Sequence, residues 1–187
     1  MLNQSKAFSY LNFFLILSFT ILLLRIILNI HIGLPLHFDE AQYWDWSQNL
    51  DWGYFSKPPL LAFLIRVVTE LCGNGENCIR SLSPFLHFLT SLIIFYSVYL
   101  LTKSFKKALL GSFLYLLMPG ISFSSFLIST DVPLLLFSSL IALCIIKIFN
   151  SKKNTFLLFC LLGFFFALGF LSKYAIFYLL LSFLFSI

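Results

Sequence analysis

The stretch Phe8–Ile30 reads FSYLNFFLILSFTILLLRIILNI and carries one charge, Arg25. About 20 apolar residues in helical form cross the ~30 Å hydrocarbon core of a bilayer. The run is too long for the apolar region of a signal peptide and has no small-residue cleavage site, so it reads as an uncleaved span. Arg25, near its outer end, is expected to snorkel outward. Similar runs follow at Leu82–Leu101, Ala108–Phe126, Val132–Phe149, Phe156–Leu171 and Ala175 to the end. Only Ser172, Lys173 and Tyr174 separate the last two, which are either two helices or one long kinked helix. The expectation is an all-α, polytopic membrane protein with five to six transmembrane helices. Composition agrees: 60% of the residues are hydrophobic, 10% are charged, and Phe occurs 25 times in 187 positions, far too apolar for a soluble domain. A net charge of +5 would point to nucleic acid in a soluble protein, but here the basic residues fall in short clusters between apolar runs, and no nucleic-acid partner is expected.

Those clusters set the sidedness. Lys6, then Lys103, Lys106 and Lys107, then Lys147, Lys152 and Lys153 fall at alternate ends of successive spans, which places them and the N-terminus in the cytoplasm. All seven acids fall on the other side: Asp39, Glu40, Asp45, Asp51, Glu70 and Glu76 in one long loop, and Asp131 at the start of the fourth span. That loop, about 31–81, also holds Trp44, Trp46 and Trp52, and is where chemistry can reside. Within it Asp39–Leu50 reads as a short helix with Asp39 as N-cap or N1 acid. Pro58 and Pro59 begin a second, whose Leu61, Leu64, Ile65, Val68 and Leu71 repeat at helical spacing, as for a helix lying on the membrane. Cys72 and Cys78 flank a Gly-Asn-Gly-Glu-Asn turn and close a disulfide if the loop faces an oxidising compartment. Cys144 and Cys160 read as small apolar side chains.

Several charged side chains gather at the outer face. Asp39 and Glu40 follow an apolar approach where the first span leaves the bilayer. A carboxylate partly withdrawn from water suits a general base; the plainer reading is that Asp39 caps a helix and Glu40 is solvated. Lys57 precedes a proline-led helix start whose free N–H groups favour an anion, or else snorkels to the headgroups. Asp131 stands at a helix N-terminus and caps it or joins a site. Lys173 lies between two apolar runs, where a charge needs water, a partner or a ligand. The aromatics, Tyr43 and Tyr54 included, read as interfacial anchors. His31, His37 and His87 show no spacing that indicates zinc; a divalent metal stays open, and no cofactor is specified.

Phe38-Asp39-Glu40-Ala41-Gln42-Tyr43-Trp44-Asp45-Trp46-Ser47 and Gly53-Tyr54-Phe55-Ser56-Lys57-Pro58-Pro59-Leu60 together resemble the membrane glycosyltransferases of the C fold. More narrowly, they resemble the bacterial branch related to protein O-mannosyltransferases and to the transferase that adds aminoarabinose to lipid A. Gly73-Asn74-Gly75-Glu76 with Arg80-Ser81-Leu82-Ser83, then Ser129-Thr130-Asp131-Val132-Pro133-Leu134, then Gly169-Phe170-Leu171-Ser172-Lys173-Tyr174 follow in the family's order.

The resemblance implies transfer of a sugar from a polyprenyl-phosphate donor to a lipid, glycan or protein acceptor at the non-cytoplasmic face of the inner membrane. By it Asp39 and Glu40 are the catalytic residues, with Asp39 as the base; Lys57, Arg80 and Lys173 meet the donor phosphate; and Asp131 and Tyr54 support the site. Family members are usually more than twice this length, so residues 1–187 are expected to be the N-terminal part of the transmembrane domain. A second polypeptide would then supply the rest, or the fragment would be inactive. The rival reading is a non-catalytic protein that binds or transports polyprenyl phosphate.

Overall fold

The computed structural model describes residues 4–151 and 155–184. Lys152 and Lys153, which bear on the sidedness, and residues 185–187 lie outside the described residues, and Lys6 is described in its backbone alone. The helices run α1 (Gln4–Ile32), α2 (Phe38–Gln48), α3 (Leu60–Cys72), α4 (Glu76–Thr102), α5 (Phe105–Leu117), α6 (Pro119–Ser124), α7 (Asp131–Asn150), α8 (Phe156–Ser172) and α9 (Ile176–Leu184). No strand is present among the described residues. Residues 8–32 of α1, together with α4 and α7, are long and apolar enough to cross a bilayer; α8 is a shorter apolar helix. The chain is a polytopic α-helical membrane protein.

Helix α4 is the centre, packing on α1, α5 and α7 in the bundle and on α3 at its outer end, while α8 lies along α7. The α2–α3 hairpin closes that end through Tyr43, Leu61, Ile65, Ile79, Leu82, Ile128 and Val132, which form one buried core. The apolar stripe of α3 thus packs largely onto protein: Leu61 and Ile65 are sealed, and Leu71 at the helix end is exposed. Cys72 and Cys78 are disulfide-bonded, tying α3 to the first turn of α4.

Three expectations need correction. The expected third span, Ala108–Phe126, is broken into α5 and α6 at Met118–Pro119, because proline has no N–H to continue the helical ladder. The freed carbonyl of Leu116 accepts from Arg25, whose guanidinium also donates to the Ser122 hydroxyl (3.3 Å). Arg25 therefore turns into the bundle rather than outward: in hydrocarbon the broken backbone must find donors, and Arg25 is one. Finally, α4 begins at Glu76, six residues before the expected Leu82, so Arg80 belongs to a helix and not to a loop.

The broken span is fastened on both sides. Asn29 Nδ2 donates to the Ser125 carbonyl (3.1 Å), Ser83 Oγ to the Ser124 carbonyl (2.6 Å), and His87 bridges the Tyr115 hydroxyl (2.8 Å) and Ser124 Oγ (3.1 Å). These bonds hold the segment after α6 at a fixed height, which matters because its Ile128 reaches the site described next.

Candidate functional site

Asp39 and Glu40 adjoin in sequence and do opposite things. His37 is the N-cap of α2, so Asp39 lies in the first turn and is not the cap, and Glu40 falls at the third position. There Glu40 Oε2 accepts from the His37 backbone N–H (2.9 Å). The same carboxylate accepts from Arg80 Nη2 (2.6 Å) and Nε (3.1 Å) and from the Ile128 N–H (2.9 Å). Arg80 also donates to the carbonyls of Leu34 (2.6 Å) and Pro35 (2.8 Å). Both partners are buried, Glu40 2% and Arg80 4% exposed. Glu40 is thus the enclosed acid, not the solvated one, and it ties α2 to α4 and to the α6–α7 link.

Asp39 is exposed and makes no hydrogen bond or ion pair among the described residues. One turn further along α2, on the same helix face, stands Tyr43, buried in the core cluster that also holds Val132. Burial pushes the Tyr43 phenol up, and the carboxylates of Asp39 and then Asp131 push the same way. The phenol keeps its proton at neutral pH and lies within the field of both acids.

Asp131, in the first turn of α7, accepts from Lys173 Nζ at 2.6 Å. Lys173 emerges where α8 ends and α9 begins, so the last two apolar runs are separate helices, and the lysine lies at their joint. Its side chain and that of Asp131 are 34% and 53% exposed. An exposed pair of this kind contributes only about 0–1 kcal/mol and opens readily to a competing anion. Lys173 lines an open cleft of about 460 Å³ with Ser56, Lys57, Pro58, Tyr174, Phe177 and Tyr178. Lys57 has no ion pair among the described residues. Two cations therefore face one cleft, one unpaired and the other weakly held.

The expected site residues thus divide. Asp39, Asp131, Lys57 and Lys173 present groups that a ligand can engage, whereas Glu40 and Arg80 engage each other. Tyr54 donates to the Trp46 carbonyl (2.9 Å) and stacks on the Trp46 ring (centroids 4.5 Å apart), which shapes the loop before Lys57. Among the described residues no three His, Cys, Asp or Glu side chains gather as a metal cluster.

The model of the dolichyl-phosphate-mannose-protein mannosyltransferase family matches residues 56–187. The chain belongs to this family. The matched segment begins at the Ser56-Lys57-Pro58 wall of the cleft and includes Arg80, Asp131 and Lys173. The lipid A galacturonosyltransferase RgtD of Rhizobium johnstonii is 36% identical over 126 residues, covering 66% of this chain and 26% of that protein. The chain spans about a quarter of the length of that relative. No solved structure matches the chain.

The Lys173–Asp131 pair depends on how the α8–α9 joint presents Lys173. Gly169 lies in the last turn of α8, and a Cβ placed there would stand 3.0 Å from Ile176 Cδ1 and 3.5 Å from Phe137 Cβ. Ile176 is 1% exposed and has little room to retreat. Gly169→Leu is expected to cost about 1–3 kcal/mol and to swing Lys173 away from Asp131. A lower Tm in detergent than for Gly169→Ala would show it; equal Tm values would mean that the joint is loose.

Proposed function

We propose that the chain forms part of a membrane glycosyltransferase that takes a sugar from a polyprenyl-phosphate carrier and passes it to a hydroxyl or amine of a lipid, glycan or protein acceptor. The observation that supports this most is the cleft lined by Lys57 and Lys173, with Asp131 on Lys173 and the unpaired Asp39 beyond Tyr43. In this reading the carrier phosphate displaces Asp131 from Lys173 and is held by Lys57 and Lys173. The acceptor attacks the anomeric carbon as its proton passes to Asp39, and the polyprenyl phosphate leaves with the bonding electrons. Phosphate is a good leaving group, so one base with cationic stabilisation of the departing charge suffices, without the second acid a glycosidase uses. Attack opposite the leaving group inverts the anomeric centre.

The Glu40–Arg80 pair is in this reading a positioning device. Breaking a buried pair to bind a phosphate costs far more than opening the exposed Lys173–Asp131 pair, so the lysines are the phosphate ligands. The disulfide, and the lysine clusters at the other ends of the spans, favour a non-cytoplasmic face of the inner membrane for the site.

Lys57→Ala is expected to weaken binding of undecaprenyl phosphate to the protein in nanodiscs by about 10- to 100-fold, the worth of one charge-assisted bond. In a transfer assay it should raise the KM for donor more than that for acceptor. Unchanged carrier affinity would remove Lys57 from the phosphate and with it the reading of the cleft.

A further inference from the structure

We infer that Tyr43 contacts the sugar itself: its phenol hydroxyl donates a hydrogen bond to an oxygen of the carrier-linked pyranose held between Asp39 and Asp131. The inference rests on the proposed carrier-dependent site and names a residue that recognises the sugar rather than the phosphate.

The geometry carries it in three steps. Tyr43 is fixed, because the residue is 4% exposed, and its ring packs in the core with Leu61, Ile65 and Val132 and is tilted against Trp46 at 5.8 Å. Its hydroxyl is nevertheless uncommitted: it makes no hydrogen bond among the described residues, and it is not among the sealed, unpartnered polar atoms, where only Ser97 Oγ is found. A fixed ring with an open tip holds the hydroxyl in place and leaves it free to meet a ligand. The two acids that act on the phenol, Asp39 one turn back on α2 and Asp131 at the start of α7, offer only acceptors when ionised. A pyranose has both hydroxyl donors and oxygen acceptors, so two carboxylates near one phenol O–H match it, whereas two carboxylates alone would leave its acceptors unserved. A phosphate fits this place poorly, because two acids repel it and the cations stand at the neighbouring cleft.

The test uses the full chain in nanodiscs and compares undecaprenyl phosphate with the same carrier bearing a hexose, a hexuronic acid or an aminopentose. Wild-type protein is expected to prefer at least one sugar-bearing form over the bare carrier. Tyr43→Phe, which keeps the ring and its packing, should reduce that preference by about 10-fold while leaving affinity for the bare carrier and Tm unchanged. Lys57→Ala should weaken all forms alike. Retention of the full sugar preference by Tyr43→Phe would overturn the inference, as would equal loss for bare and sugar-bearing carriers, which would put the hydroxyl on the phosphate. Absence of any sugar preference in the wild type would overturn it as well. Failure of the bare carrier to bind in a Lys57-dependent way is the separate result that removes the proposed function.

Discussion

Asp39→Asn is expected to lower sugar transfer by roughly 10²- to 10⁴-fold, the usual contribution of a positioned base, without disturbing the fold. Asparagine has the shape of aspartate and cannot take a proton from an attacking hydroxyl. Nothing structural leans on the carboxylate: Asp39 is exposed and has no hydrogen bond or ion pair among the described residues. The one stabilising effect lost is that of an acid in the first turn of α2, about 0.3–1 kcal/mol at an exposed helix start. Transfer from a radiolabelled polyprenyl-linked sugar, measured in membranes that carry the protein, should therefore fall while Tm and carrier affinity hold. Undiminished transfer would take the base role from Asp39. A non-catalytic carrier-binding protein would show no transfer in either form and unaltered binding in both, so the same pair of assays separates the two readings.

Much of this arrangement is legible in the sequence, because the bilayer sorts residues coarsely. Asp39, Lys57, Asp131 and Lys173 are far apart in the chain, yet the alternation of apolar runs and basic ends is enough to place them all on one face. What the sequence hides is direction about a helix axis. Asp39 and Glu40 sit side by side in an apolar approach, and a turn of about 100° per residue sends one to solvent and the other into the core. The periodicity of an 11-residue helix with apolar residues on several sides does not say which.

The displaced start of α4 has a different cause. Apolar windows register hydrocarbon, and the polar first turns of a span, Glu76 to Arg80, are invisible to them. Pro119 is a readable signal for the break in the third span, but the run around it stays apolar because Arg25, Ser122 and the neighbouring hydroxyls repair the backbone from within. Tyr43 does not stand out in the sequence because an aromatic near an interface is ordinarily an anchor. Its burial in the outer core, with a free hydroxyl in the field of two acids, distinguishes it.

The second large effect is on stability. Arg80→Met is expected to destabilise the protein by about 3–5 kcal/mol, the cost of leaving one member of a buried pair without the other. Glu40 would keep only the His37 and Ile128 N–H groups, and the carbonyls of Leu34 and Pro35 would lose their donor. The double variant Glu40→Met, Arg80→Met removes the stranded charge along with its partner and should recover part of the loss, although the His37 and Ile128 N–H groups then lack an acceptor. A double-mutant cycle on thermal unfolding in detergent measures the coupling directly. Both variants should also lose transfer, since α2 would no longer be pinned to the α6–α7 link and Asp39 would drift from Asp131. If Arg80 were instead a ligand of the carrier phosphate, Arg80→Met would leave Tm near that of the wild type and weaken carrier binding as Lys57→Ala does. A stable Arg80→Met protein with poor carrier affinity would therefore return Arg80 to the phosphate and take from Glu40 its role as the post on which α2 hangs.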